Sequence, residues 1–95
     1  MNQYEVMYVI DTALEEGARS ELINRFSNIV TNNGGKVDRV DEWGKRRLAY
    51  PINYKTEGYY VLINFTSAPS FPAELDRHYN ITDGVIRSLI VAKAE

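Results

Sequence analysis

Few residues of this chain have the types and spacing that covalent chemistry requires. His78 is the single histidine and there is no cysteine, which excludes disulfides, thiol catalysis and cysteine-ligated metal, and leaves His78 no partner to share an ion. The acidic pairs Glu15-Glu16 and Asp41-Glu42 are adjacent in sequence. Neighbours in a helix point in different directions and in a strand to opposite faces, so neither pair is a poised carboxylate dyad. No GxGxxG or P-loop appears, and Gly34-Gly35 reads as a helix terminator. Nothing supplies the oriented base that a nucleophile needs. What remains is recognition. Lys45-Arg46-Arg47, three adjacent basic residues, follow the only tryptophan, Trp43, inside a strand-like segment. Such a run suits a solvated edge strand, or a contact surface for nucleic acid or a protein partner.

The charge distribution sharpens that choice. The net charge is −2, whereas a free nucleic-acid-binding domain is usually basic. Residues 1–35 hold Arg19 and Arg25 against Glu5, Asp11, Glu15, Glu16 and Glu21. Residues 36–57 reverse the balance, with Lys36, Arg39, Lys45, Arg46, Arg47 and Lys55 against Asp38, Asp41, Glu42 and Glu57. Positive charge is therefore concentrated mid-chain, where a polyanion would be met. At 95 residues the chain is long enough for one domain with a single core, expected over residues 1–95. The absence of a long apolar run or a signal-peptide pattern leads to the expectation of a soluble cytoplasmic domain.

The elements that position these residues follow from periodicity. Tyr4, Val6, Tyr8 and Ile10 recur at period two and predict a strand, central because Met7 and Val9 make its second face partly apolar. Thr12-Ala13-Leu14-Glu15 fits a capping box, and Ala18, Leu22, Phe26, Ile29 and Val30 follow at helical spacing up to Gly34. Lys36 to Tyr54 has no helical signal. Its apolar positions, Val37, Val40, Trp43, Leu48, Tyr50 and Ile52, break period two and predict a bulge, with Gly44 one site for the bend. Pro51 cannot donate to a ladder, which puts this strand at a sheet edge. Asn53 to Gly58 reads as a turn and Tyr59 to Phe65 as a central strand. Pro72 opens a second helix carrying Leu75 and Tyr79, and Val85 to Lys93 is a last strand whose pattern leaves open whether Leu89 or Ile90 turns inward.

Strand, helix, strand, strand, helix, strand is the order of two split βαβ units. Right-handed crossovers give an α+β, ferredoxin-like βαββαβ sandwich: a four-stranded antiparallel sheet with both helices on one face and the first and third strands central. The uncovered face then presents Tyr60 and Leu62. An acylphosphatase-like phosphate loop after the first strand is not expected, because Asp11-Thr12-Ala13-Leu14 is acidic and glycine-free. Gly58-Tyr59-Tyr60-Val61 only partly echoes the aromatic strand of an RNA-recognition motif. A regulatory ligand-binding module of the same shape is the competing reading.

Asn33-Gly34-Gly35-Lys36-Val37, the run from Val40-Asp41-Glu42-Trp43-Gly44 through Lys45-Arg46-Arg47-Leu48 to Ala49-Tyr50-Pro51-Ile52, and Gly58-Tyr59-Tyr60-Val61-Leu62 resemble the bacterial small-subunit ribosomal protein S-six family. So do the opening Tyr4-Glu5-Val6-Met7 and the closing Val85-Ile86-Arg87-Ser88. The resemblance implies a structural, non-catalytic protein of the small ribosomal subunit, without cofactor, metal or membrane. It implies binding to the central domain of small-subunit ribosomal RNA as a heterodimer with small-subunit ribosomal protein S-eighteen. That partner is basic, so the pair supplies most of the phosphate neutralisation. In the family the charged second strand lies near the partner, which points to Asp41, Lys45, Arg46 and Arg47. RNA is left the open sheet face and the termini, with Tyr4, Tyr60, Leu62, Arg87 and Lys93 as candidates. Tyr4 alternates with the core residues and reaches RNA only where the strand end frays.

Overall fold

The computed structural model describes residues 2–52 and 55–93. Six elements follow one another: β1 (Asn2–Ile10), α1 (Glu16–Asn32), β2 (Lys36–Ile52), β3 (Lys55–Ser67), α2 (Phe71–Ile81) and β4 (Val85–Ala92). The strands form one antiparallel sheet in the order β2-β3-β1-β4, so β1 and β3 are central and the proline-bearing β2 is an edge, as their side chains predict. This is the ferredoxin-like arrangement.

Alternation along the central pair separates the two faces. Val6 lies opposite Ile63 and Tyr8 opposite Val61, and all four are fully buried. Phe26 and Val30 of α1 and Leu75 and Tyr79 of α2 close over them. Tyr8, Phe26 and Tyr79 form an aromatic cluster, with Phe26 and Tyr79 stacked at 4.0 Å between ring centroids. On β4, Ile90 packs against this core while Leu89 is 58% exposed, which settles the register that the sequence leaves open.

Helix α1 departs from expectation at its start. The capping box does not form: α1 begins at Glu16, with Glu15 as N-cap and no side-chain cap bond. Asp11 organises the preceding turn instead, its carboxylate accepting from the Ala13 N–H at 2.9 Å and its carbonyl from the Leu14 N–H at 3.1 Å. This Asx turn holds residues 11–14 outside the helix. The buried stripe is accordingly Ile23, Phe26 and Val30, and Ala18 is exposed while Arg19 is half-buried. The other end behaves as predicted. Gly34 takes φ +82°, its N–H donates to Thr31 O and the Gly35 N–H to Val30 O, a Schellman ending.

The turn expected at Asn53 to Gly58 is also revised. Asn53 and Tyr54 lie outside the described residues, but Lys55 to Gly58 belong to β3, so the β2–β3 hairpin is longer than the apolar pattern suggests. Its far end extends past β1, whose last partner on β3 is Tyr59.

The Tyr8 and Tyr79 hydroxyls are buried with no hydrogen-bond partner among the described residues. Burial pushes both phenols well above their ordinary range. A raised folded-state pKa leaves stability intact below the unfolded tyrosine value of about 10, and stability falls as pH rises above it. Urea denaturation should therefore show the unfolding free energy dropping above about pH 10, by up to about 1.4 kcal/mol per pH unit from each phenol. Tyr8→Phe should reduce that slope, and at pH 7 it should change stability by less than about 1 kcal/mol, because it removes an unpaired hydroxyl.

Candidate functional site

The charged edge is shaped by two bulges. Register shifts fall between Val37 and Arg39 and between Glu42 and Gly44, leaving Asp38 and Trp43 without opposite residues on β3, and a third falls between Arg47 and Ile52 toward the hairpin end. Gly44 adopts φ +87°, a conformation side-chain-bearing residues rarely take. An extra residue shifts the alternation of a strand, so β2 does not simply place successive charges on opposite faces. Arg39 opposes Asn64, Asp41 opposes Leu62 and Arg46 opposes Gly58, all on the face away from the helices.

Asp41 and Arg46 meet at Trp43. The Asp41 carboxylate accepts from the Trp43 indole N–H at 3.3 Å and ion-pairs with Arg39 at 3.5 Å, while the Arg46 guanidinium lies 5.7 Å from the Trp43 ring centroid. The indole remains 41% exposed. Exposed pairs of this kind contribute about 0–1 kcal/mol to folding; their effect is to present a planar aromatic surface flanked by opposite charges. Lys45 and Arg47 are exposed but alternate to the other side, opposite Tyr59 and Glu57, so the four sequence candidates divide into two pairs. Sequence reasoning treats Trp43 only as an apolar position. Its place as the hub becomes visible once the bulge sets which neighbours share its side.

The open face is built by the central strands and β4. Met7 and Val9 lie beside Leu62 and Tyr60 on one flank and Leu89 and Arg87 on the other. Met7, Val9, Tyr60, Arg87 and Leu89 line a shallow depression of about 230 Å³. Lys93 is exposed at the end of β4, its N–H donating to the Gln3 carbonyl at 3.0 Å, and it borders a second notch of about 290 Å³ with Arg39 and Asn64. Four of the five RNA candidates, Tyr60, Leu62, Arg87 and Lys93, thus belong to this side. Tyr4 does not. It is 8% exposed, under the helices and stacked on Phe65 at 5.6 Å. The strand end is paired out to Asn2 opposite Ser67, which keeps the ring on the core side.

Val9 lies on this face but is only 4% exposed. Gly58 lies against it: a Cβ added there would come within 2.1 Å of Val9 Cγ1 and 3.5 Å of Leu48 Cδ2. The glycine that reads as a turn residue is a point of close approach in a strand. His78, the single histidine, has Nε2 3.4 Å from Glu74 on α2, and no cluster of potential metal ligands is found among the described residues.

A sequence profile described as ribosomal protein S6 matches residues 3–92. The chain belongs to the ribosomal protein S6 family. It is 55% identical over 91 residues to the small ribosomal subunit protein bS6 of Caldanaerobacter subterraneus subsp. tengcongensis, covering 96% of each chain. Against bS6 of Thermoanaerobacter pseudethanolicus the identity is 52% over the whole of both chains. The crystal structure of 30S ribosomal protein S6 from Thermotoga maritima superposes with a TM-score of 0.92 at 31% identity, covering 97% of this chain and 87% of that one. S6 proteins are structural and non-enzymatic, in keeping with the absence of any catalytic pattern in the sequence.

Within this S6 chain, Gly58→Ala should destabilise by about 1–3 kcal/mol, because Val9 and Leu48 leave no room for a methyl group. The urea midpoint measures this directly, and a Gly58→Ala/Val9→Ala double variant should recover part of the loss.

Proposed function

We propose that the protein is a structural constituent of the small ribosomal subunit. In this reading it binds the central domain of small-subunit ribosomal RNA as a heterodimer with small-subunit ribosomal protein S-eighteen, in the bacterial cytoplasm. The observation that carries it is membership of the S6 family across residues 3–92. Two physically different surfaces support the division of labour. The β2 edge, with Asp41, Trp43 and Arg46 in one connected group and Lys45 and Arg47 exposed beside it, suits a charged protein partner. The open face offers Tyr60 and Leu62 to bases and Arg87 and Lys93 to phosphates.

The same edge charges protect the free protein. A long strand with an unpaired outer side invites pairing with other sheets, and adjacent cations and bulges discourage it. Complementarity in the complex and protection outside it draw on the same residues.

The direct test is fractionation of cells expressing a tagged chain. The tag should sediment with the small subunit at moderate salt, and its recovery only in soluble fractions would overturn the ribosomal assignment. For the edge, Arg46→Glu with Arg47→Glu should leave the melting temperature of the isolated chain nearly unchanged but weaken binding to S-eighteen by about tenfold or more. Unchanged affinity by calorimetry would remove β2 from the interface.

A further inference from the structure

One group of side chains is used by neither surface. Tyr59 lies on the helix-covered side of β3, diagonal to Glu42 across the second bulge: Glu42 faces Val61, and Tyr59 faces Lys45, just beyond Gly44. The Tyr59 hydroxyl donates to Glu42 Oε1 at 2.8 Å. From α1, the Arg19 guanidinium sits 4.0 Å from the Tyr59 ring centroid. One tyrosine therefore ties a helix and a central strand to the edge strand at the residue before its unpaired tryptophan.

On the exposed side of the bulge, Trp43 is held by its hydrogen bond to Asp41 and by Arg46 over its ring; on the helix side the contact is Glu42 with Tyr59. Nothing lies within 4 Å of the position a Cβ would take on Gly44, and Trp43 is 41% exposed. Burial, then the Glu42 hydrogen bond, push the Tyr59 phenol above its ordinary value, so it stays protonated and donating throughout the neutral range. Ladder hydrogen bonds alone would leave Glu42 to Lys45 free to twist, since a bulge interrupts them at this point.

We propose that Tyr59, braced between Arg19 and Glu42, is a positioning residue that sets the aim of Trp43 and Arg46 on the partner-facing edge. The inference rests on the reading of β2 as the surface for S-eighteen, and extends it to residues that do not touch the partner. Arg19 orients the ring, the hydroxyl fixes Glu42, and the fixed Glu42 holds the bulge from which the indole and guanidinium project. The partner then meets a preordered surface rather than one it must order on binding.

Trp43 is the only tryptophan, so its fluorescence reports the bulge without a label. Tyr59→Phe keeps the ring and its contact with Arg19 but removes the hydroxyl. In the free chain it should lower Trp43 anisotropy and raise acrylamide quenching, and it should weaken binding to purified S-eighteen by about three- to tenfold, the size of one ordinary net hydrogen bond. Glu42→Ala should reproduce both effects, Glu42→Gln should restore most of each because the amide oxygen still accepts, and Tyr59→Phe with Glu42→Ala should be no worse than either alone. An unchanged Trp43 signal in Tyr59→Phe, or additive losses in the double variant, overturns the brace. A changed signal with unchanged affinity sustains the brace and overturns the assignment of β2 to the partner, so the two readings fail separately.

Discussion

The stack of Phe26 on Tyr79, with Tyr8 packed against both rings, is the contact through which α1 and α2 are held to the same side of the sheet. Each ring comes from a different element, and each is almost wholly removed from water. Aromatic burial of this kind contributes more per residue than any other contact available to so short a chain. It also fixes parity. A strand slipped by one residue would turn Val6, Tyr8 and Ile10 out and Met7 and Val9 in. Because both helices are committed to one face, the other face has no helix to cover it. Tyr60, Leu62 and Met7 are half-exposed for the same reason that Val61, Ile63 and Tyr8 are buried.

The edge strand works under a different constraint. β2 has one neighbour only, so its outer backbone groups depend on solvent or on a partner. Its two bulges do more than bend it. By adding a residue between ladder pairs, the one at Trp43 brings Arg46 to the side that Arg39 and Asp41 already share and leaves Trp43 projecting among them. Regular alternation from Asp41 would have sent Arg46 to the helix side. Salt bridges this exposed add little to folding stability, so the arrangement is better understood as shaping a surface than as strengthening the fold.

Most of the architecture was legible from periodicity, because strand parity and helix phase are statements about which side chains must leave water. Val6, Tyr8, Val61 and Ile63 announce a central pair, Pro51 an edge, and the three-residue step from Val37 to Val40 a bulge, with Gly44 one site for the bend. Local competition hid the start of α1: Thr12 and Glu15 have the chemistry of a capping box, but Asp11 captures the same turn first. The candidate site was harder to read. Gly58 looks like a turn residue because a sequence cannot show that Val9 occupies the space above it. Tyr4 looked reachable only if its strand end frayed, and in the structure its ring is buried against Phe65 with the strand end paired. Arg19, Glu42 and Tyr59 come from three elements, and their meeting depends on how far the hairpin twists toward α1, which has no period to betray it.

Net charge proves a poor guide to the surfaces of a small sheet protein. The total is −2, yet much of the acidity sits on α1, where Glu15, Glu16 and Glu21 are exposed on the helical layer. The side opposite, proposed to meet RNA, carries Lys36, Arg39, Arg46, Arg87 and Lys93 against Glu5, Asp38 and Asp41. Two layers thus give the molecule a polarity that its sum conceals. At physiological salt the screening length is about 8 Å, comparable to the separation between a sheet and the helices packed on it, so a phosphate at the open face would feel the nearby cations more than the distant carboxylates. An acidic chain can in this way present a cationic side. A basic partner on β2 would extend that side rather than create it.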